Sequence, residues 1–96
     1  MNWELFDAWL EDLRTTTAPQ CFGVDSTSDG RYCARGRLIK VSKKLGVECT
    51  LDIRALIDEC TPDAAAVVFN DSRRLTFPEI ANALEQKYAP FREVRT

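Results

Sequence analysis

The residues best able to do chemistry in this chain are its cysteines, a run of cations and two groups of carboxylates. The cysteines are Cys21, Cys33, Cys49 and Cys60. Their spacing is long and contains no C-x-x-C pair, so the closely paired ligands usual in a tetrahedral zinc site are missing. Buried free thiols are the expectation, with a zinc site or disulfides as alternatives, and sequence cannot choose among the pairings. The chain has no histidine. That removes Ser-His-Asp and Cys-His catalysis, H-E-x-x-H metalloproteases, H-x-E zinc deaminases and Cys₂His₂ fingers. Any reaction would have to run on carboxylates, Lys, Tyr, Cys or a borrowed cofactor. No Gly-rich phosphate loop, G-K-[ST] or G-x-S-x-G is present, and the glycines are scattered at Gly23, Gly30, Gly36 and Gly46. Neither an enzyme nor a cofactor is expected.

Three constellations remain. The stretch from Arg31 to Lys44 carries Arg31, Arg35, Arg37, Lys40, Lys43 and Lys44 and no acid. It reads as a face for phosphates or acidic partners, or as the solvated side of an amphipathic helix neutralised by acids such as those between Glu4 and Asp12. Asn70 and Asp71 with Arg73, Arg74 and Glu79 read as a structural turn or as an anion site at a helix start. Glu4, Asp7, Glu11 and Asp12 read as a solvated helix face, with a metal or acid–base role as the sharper alternative. An enzymatic reading would need one pocket joining Asp71 and Glu79 with Tyr32 or Cys33. Trp3 and Trp9 are most simply core or edge residues; an exposed one would suggest a partner surface.

The elements that must position these residues are mainly helical. With 96 residues, 45% of them hydrophobic, the chain suits one globular domain spanning 1–96. Such a domain buries roughly 60–65% of its unfolded surface and has a thin stability margin. A net charge of −2 gives no global pull towards nucleic acid or membrane. No apolar run approaches a membrane span, and no signal peptide is visible, so a cytosolic location is expected.

The first helix is predicted over about Asn2 to Thr15, with Asn2 as cap and Phe6, Trp9, Leu10 and Leu13 on one stripe. Gln20 to Tyr32 reads as a small irregular β-hairpin around the Asp29-Gly30 turn signal. A second helix is predicted from about Cys33 to Leu45, with Ala34, Leu38, Val41 and Leu45 on one face and Gly46 just past its end. A third runs from about Leu51 to Cys60 behind a Thr50 cap. Thr61-Pro62-Asp63 then starts a short helix to about Val68, with a buried strand at 67–69 as the alternative. After a turn over Asn70 to Arg74, the last helix runs from about Thr76 to Tyr88. Thr76 and Glu79 form a capping box, and Leu75 and Ile80 are placed for a hydrophobic staple. Pro90 is expected to stop it. The fold class is therefore mainly α, a compact bundle of four to five short helices with a small β-hairpin, or alternatively α+β.

Two segments carry a resemblance. Leu13-Arg14-Thr15, Gln20, Gly23 and the run Gly30-Arg31-Tyr32-Cys33-Ala34-Arg35-Gly36-Arg37-Leu38 form the first. Phe69-Asn70-Asp71 followed by Thr76-Phe77-x-Glu79-Ile80-Ala81 forms the second. Together the chain resembles a group of small uncharacterised phage and bacterial domains with a Tyr-Cys-x-x-Gly-x-Leu segment and an Asn-Asp…Thr-Phe-x-Glu-Ile-Ala segment. The resemblance implies no catalytic residues. Arg35 departs from the group's usual leucine, which either disturbs the start of the second helix or marks a surface specialisation. The matched residues also have structural explanations: Cys33 as a small buried side chain, Gly36 for close packing, and Asn70-Asp71 for the turn.

From these features the expected function is that of a phage-type accessory protein that binds a host or viral protein, as an inhibitor or modulator. The alternatives are nucleotide or nucleic-acid binding through 31–44, and a structural or virion component.

Overall fold

A computed structural model of the protein describes residues 2–49, 51 and 61–93. Helix α1 (Trp3–Thr15) begins as the sequence predicts, with Asn2 Oδ1 accepting the Leu5 N–H at 3.0 Å. Phe6, Trp9, Leu10 and Leu13 are buried, and Trp3 and Leu5 widen the stripe, so both tryptophans belong to the core. Helix α2 (Ala34–Leu45) starts on Cys33 as its cap and ends at Gly46, whose φ of +69° is the left-handed turn that glycine adopts without strain. Ala34, Leu38 and Val41 are buried as predicted, whereas Leu45 is exposed.

Thr61 enters helix α3 (Pro62–Val67) in extended conformation, but its hydroxyl makes no capping bond. Pro62 supplies the preset φ of a first helical residue. The chain then widens into one π-helical turn over Val68–Ser72, closed by Arg73 N–H to Val68 O at 3.2 Å. Residues 67–69 are thus helical rather than a strand, and the turn expected at Asn70 opens inside this wide turn. The helix predicted over Leu51 to Cys60, and its Thr50 cap, lie outside the described residues apart from Leu51, which is buried in the core.

Helix α4 (Phe77–Glu93) starts on the predicted capping box. Thr76 N–H and hydroxyl both reach Glu79 Oε1 at 2.9 Å, and Glu79 N–H returns to Thr76 Oγ1 at 3.4 Å. Ile80 is fully buried and Leu75 packs against the same core, which fits the predicted staple. The far end differs from expectation, because the helix continues through Pro90 to Glu93. A proline in a helix interior forfeits a hydrogen bond and costs about 3 kcal/mol. Here tertiary contacts hold the last turn. Phe91 packs on the core with its ring 6.0 Å from that of Tyr88. Arg92 grips both oxygens of Asp7, at 2.5 and 3.0 Å, and lies 4.4 Å from the centre of the Trp3 ring.

Among the described residues the architecture is four α-helices and no strand. Helix α1 packs against both α2 and α4, and α3 bridges α2 and α4. Edge-to-face rings of Trp3, Phe6, Trp9 and Tyr88 fill the α1–α4 seam. The Cα radius of gyration is 12.7 Å, the value of a compact chain of this length. Among the described residues no helix is long and apolar enough to cross a membrane.

The β-hairpin does not form, and α+β is not the better description. Residues 20–32 make only isolated bridges, Gln20 with Tyr32 and Ser26 with Tyr32. The arms share only a few main-chain bonds, Thr27 N–H to Arg31 O and Cys33 N–H to Asp25 O around the Ser26–Tyr32 bridge and Cys21 N–H to Tyr32 O, and the pairing goes no further where Cys21 O accepts from Asn70 Nδ2 at 2.9 Å.

The capping box gives stability a pH dependence. Two donors on Thr76, its N–H first and then its hydroxyl, hold the Glu79 carboxyl below its ordinary pKa. The stabilisation is therefore complete above the ordinary glutamate pKa, near 4.5, and is lost as pH falls through the lowered value in the folded protein. Urea unfolding of wild type and Glu79→Gln should diverge most above about pH 5.5 and converge towards pH 3. A difference that stays constant across that range contradicts the assignment. Thr76→Ala should cost about 1 kcal/mol at pH 7.

Candidate functional site

Of the two candidate binding groups, the Asn70-Asp71 turn proves to be built mostly inward. Asn70 is fully buried. Its Oδ1 accepts from Gln20 Nε2 at 2.8 Å and from the Ala34 N–H, the first of α2, at 3.2 Å. Its Nδ2 donates to Cys21 O at 2.9 Å and to Asp71 Oδ1 at 2.8 Å. A carboxamide has two donor and two acceptor positions, and all four are used. Gln20 Nε2 also donates to Leu75 O at 2.8 Å, and Asp71 Oδ1 accepts the Gly23 N–H at 3.1 Å. Trp9 Nε1 donates to Ala34 O at 2.9 Å, which ties α1 to the same first residue of α2. The π-helical turn is the local reason Asn70 points inward, since it re-aims one side chain within a helical segment.

The second half of the motif serves the same join. A Cβ on Gly36 would sit 1.9 Å from Asp25 O, so only glycine lets the 20–32 segment lie across the first turn of α2. Cys33 Sγ accepts the Gly36 N–H at 3.4 Å and lies 3.7 Å from Asp25 Oδ1, to which its thiol donates. Both roles suit a protonated thiol, and burial pushes its pKa up. Arg35, at the group's usual leucine position, is exposed and lies between Asp25 (3.5 Å) and Asp63 (3.8 Å). Ala34, Gly36 and Leu38 around it are buried, so the helix start is undisturbed.

The basic run divides into two parts. Its N-terminal arginines are neutralised internally. Arg31 pairs with Asp29 at 3.2 Å and Arg35 with the two aspartates just named. Arg37 takes both oxygens of Asp12 through Nε and Nη2 at 2.8 and 2.7 Å, with its plane 4.9 Å from the centre of the Tyr32 ring. The Arg37 side chain is only 12% exposed, and the Asp12 hydrogen bond is the main reason its pKa is raised. Lys40, Lys43 and Lys44 have no carboxylate partner among the described residues. They line an open cleft of about 420 Å³ together with Asp12, Arg37 and Val41.

Arg73 and Arg74 form a second cationic group. Each of the other described arginines has a carboxylate within 4.0 Å: Arg14 has Glu85, Arg92 has Asp7, and Arg31, Arg35 and Arg37 are paired as above. Arg73 and Arg74 have none among the described residues and lie instead over aromatic faces. Arg73 is 5.3 Å from the centre of Phe69, and Arg74 is 4.4 Å from that of Phe22. Phe22 and its neighbour Val24 are 39% and 53% exposed. Arg74 is also the one described non-glycine residue in the left-handed region, at φ +54°. Sequence reasoning missed Phe22 and Val24 because they follow no periodicity; an aromatic and a branched residue flanking Gly23 in a polar loop was the only signal.

The other readings resolve by placement. Asp71 is tied to Gly23 and Asn70, Glu79 to Thr76, Tyr32 lies under Arg37, and Cys33 caps α2, so each of these four side chains has a structural partner. In the carboxylate set, Asp7 and Asp12 face arginines, and Glu4 and Glu11 are exposed. Among the described cysteines Cys21 and Cys33 are buried free thiols and Cys49 is an exposed one; Cys60 lies outside the described residues.

Two substitutions test whether these motif residues hold the fold. Glycine to alanine inside a helix normally stabilises by about 0.5–1 kcal/mol. Gly36→Ala should instead destabilise by about 3 kcal/mol, because the methyl meets fixed main chain. Asn70→Ala should cost about 3 kcal/mol by leaving Ala34 N–H and Cys21 O without partners. Asn70→Asp keeps the acceptor but sets carboxylate against Cys21 O and Asp71. It should be at least as damaging at pH 7 and should recover partly in acid, where a protonated carboxyl can donate. Equilibrium unfolding within 0.5 kcal/mol of wild type for either Asn70 variant would remove the network from its central role. Compared with family models, with curated proteins and with solved structures, the chain matches none.

Proposed function

We propose that this protein is a phage-type accessory module that acts in the cytosol by docking on an acidic surface of another protein and modulating it. The docking face is the Phe22–Val24 loop with Arg73 and Arg74. The observation that carries this reading is the contrast among the described arginines: five are matched to carboxylates, while Arg73 lies over Phe69, Arg74 lies over the exposed Phe22, and neither has a carboxylate partner among the described residues. Aromatic residues and arginine are the side chains most enriched at binding hot spots. A guanidinium resting over a ring keeps N–H donors for a carboxylate while losing little side-chain freedom on binding.

The backbone at Arg74 supports the same reading. A non-glycine residue in the left-handed region costs roughly 1–2 kcal/mol, and one arginine–aromatic contact at an exposed site returns about 0.5–1 kcal/mol. Folding alone would be served as well by glycine. Keeping arginine there makes sense where its guanidinium has work outside the fold.

Arg74→Gly should therefore leave the unfolding free energy within about 1 kcal/mol of wild type while removing partner binding. A photoreactive phenylalanine analogue at position 22, used in host lysate, should give a discrete protein adduct. That adduct should be lost in Arg73→Glu/Arg74→Glu and absent when the probe sits at exposed Gln86 on α4. An adduct pattern at position 22 no different from that at position 86, or one indifferent to the charge reversal, defeats the proposal.

A further inference from the structure

The cleft beside α2 stands apart from the Phe22–Arg74 face and rests on separate observations. Lys40, Lys43 and Lys44 occupy one side of α2 at i, i+3 and i+4, along about 6 Å of helix axis. Asp12 of α1 and Arg37 and Val41 of α2 complete the lining. Asp12 would repel an anion if it stood alone. It does not, because both its oxygens accept from Arg37. The cleft therefore presents three uncompensated ammonium groups over an ion pair that is already satisfied. A volume of about 420 Å³ exceeds what one small ion needs and suits a drug-sized ligand or smaller. The lining holds no aromatic face on which a base could stack. Lysine supplies compact point charges without the planar fork that selects carboxylates, which is how lysines commonly hold phosphates.

We infer that this cleft is a binding site for a compact oligophosphate anion, such as a triphosphate group, recognised by charge and spacing and not through a base. The simpler account is that Lys43 and Lys44 complement the negative end of α2. It covers the last turn alone. It leaves out Lys40 and the part of the cleft that α1 lines.

The two accounts predict different behaviour. Inorganic triphosphate is titrated into the full chain by calorimetry at low and physiological salt, in magnesium-free buffer. Lys40→Glu/Lys43→Glu should weaken binding at least tenfold. Asp12→Asn releases Arg37 to the cleft and should tighten binding about threefold. Asp7→Asn makes the same change in net charge outside the cleft and should leave affinity unchanged; circular dichroism checks that each variant is folded. ATP and GTP should bind as triphosphate does, since the base is unread. Equal tightening by Asp12→Asn and Asp7→Asn would reduce the effect to net charge and overturn the site. So would unchanged affinity in the lysine variant. A DNA duplex of arbitrary sequence binding more tightly per phosphate than triphosphate would overturn the compact-ligand assignment in favour of a nucleic-acid backbone. None of these outcomes depends on Arg73 or Arg74, so the docking face stands or falls separately.

Discussion

The fold turns on one buried carboxamide. Asn70 contacts the loop before α2 at Gln20 and Cys21, the first N–H of α2 at Ala34, and its own neighbour Asp71. The segments it joins are up to 50 residues apart in the chain. Each bond by itself contributes only about 1 kcal/mol net, but leaving a buried partner unmade costs more than making it gains. A fully satisfied buried network therefore specifies one arrangement more than it stabilises it. This explains why residues with no shared periodicity, Gln20, Gly23, Cys33, Gly36, Asn70 and Asp71, act as one unit. Gly36 admits the loop, Cys33 and Asn70 satisfy the first turn of α2, and Asp71 receives the loop at Gly23.

The same network decides which charges remain available. By pulling the 20–32 segment onto α2, it brings Asp25 to Arg35. Packing of α1 on α2 brings Asp12 to Arg37, and the last turn of α4 brings Arg92 to Asp7. Most of these pairs are exposed, and such pairs contribute little stability. Their greater consequence is subtraction: they remove cations from the set that can meet a partner. Among the described residues, what is left is local and asymmetric: three lysines on the second half of α2 and two arginines after the π turn. A net charge of −2 conceals both groups.

Local signals in the sequence are read well where the physics is local. The Asn2 cap, the Gly46 terminus, the Thr76–Glu79 box and the helical stripes of α1, α2 and α4 depend on neighbours within one or two turns. Apolar pieces flanking an Asp-Gly turn say nothing about an asparagine 49 positions later that donates to Cys21 O. Pro90 was misread as a stop for a similar reason. The rule is sound for an isolated helix, and Phe91 and Arg92 override it through contacts with Tyr88, Trp3 and Asp7. The basic run looked like one site because spacing cannot show which arginines meet an aspartate from another helix. The matched motifs were legible as important, and their role as a join became visible only once Gln20, Ala34 and Asn70 were in one place.

Placing the Phe22–Val24 loop beside the buried network has a mechanical consequence. Asp71 Oδ1 is shared between Asn70 Nδ2, which is interior, and Gly23 N–H, which lies between Phe22 and Val24. The loop is thus fastened at its middle to the most constrained residue in the molecule, and Arg74 closes over Phe22 from the other side. A flexible loop would surrender conformational freedom on binding, at a cost of about 1–2 kcal/mol for each ordered residue. Here folding has already imposed most of that order. The strained φ of Arg74 belongs to the same economy, since a backbone held in a sparsely populated region persists only where its surroundings fix it. The network at Asn70 thus does more than hold the helices together: it sets the position of the loop where, among the described residues, the exposed Phe22 ring meets an arginine with no carboxylate partner.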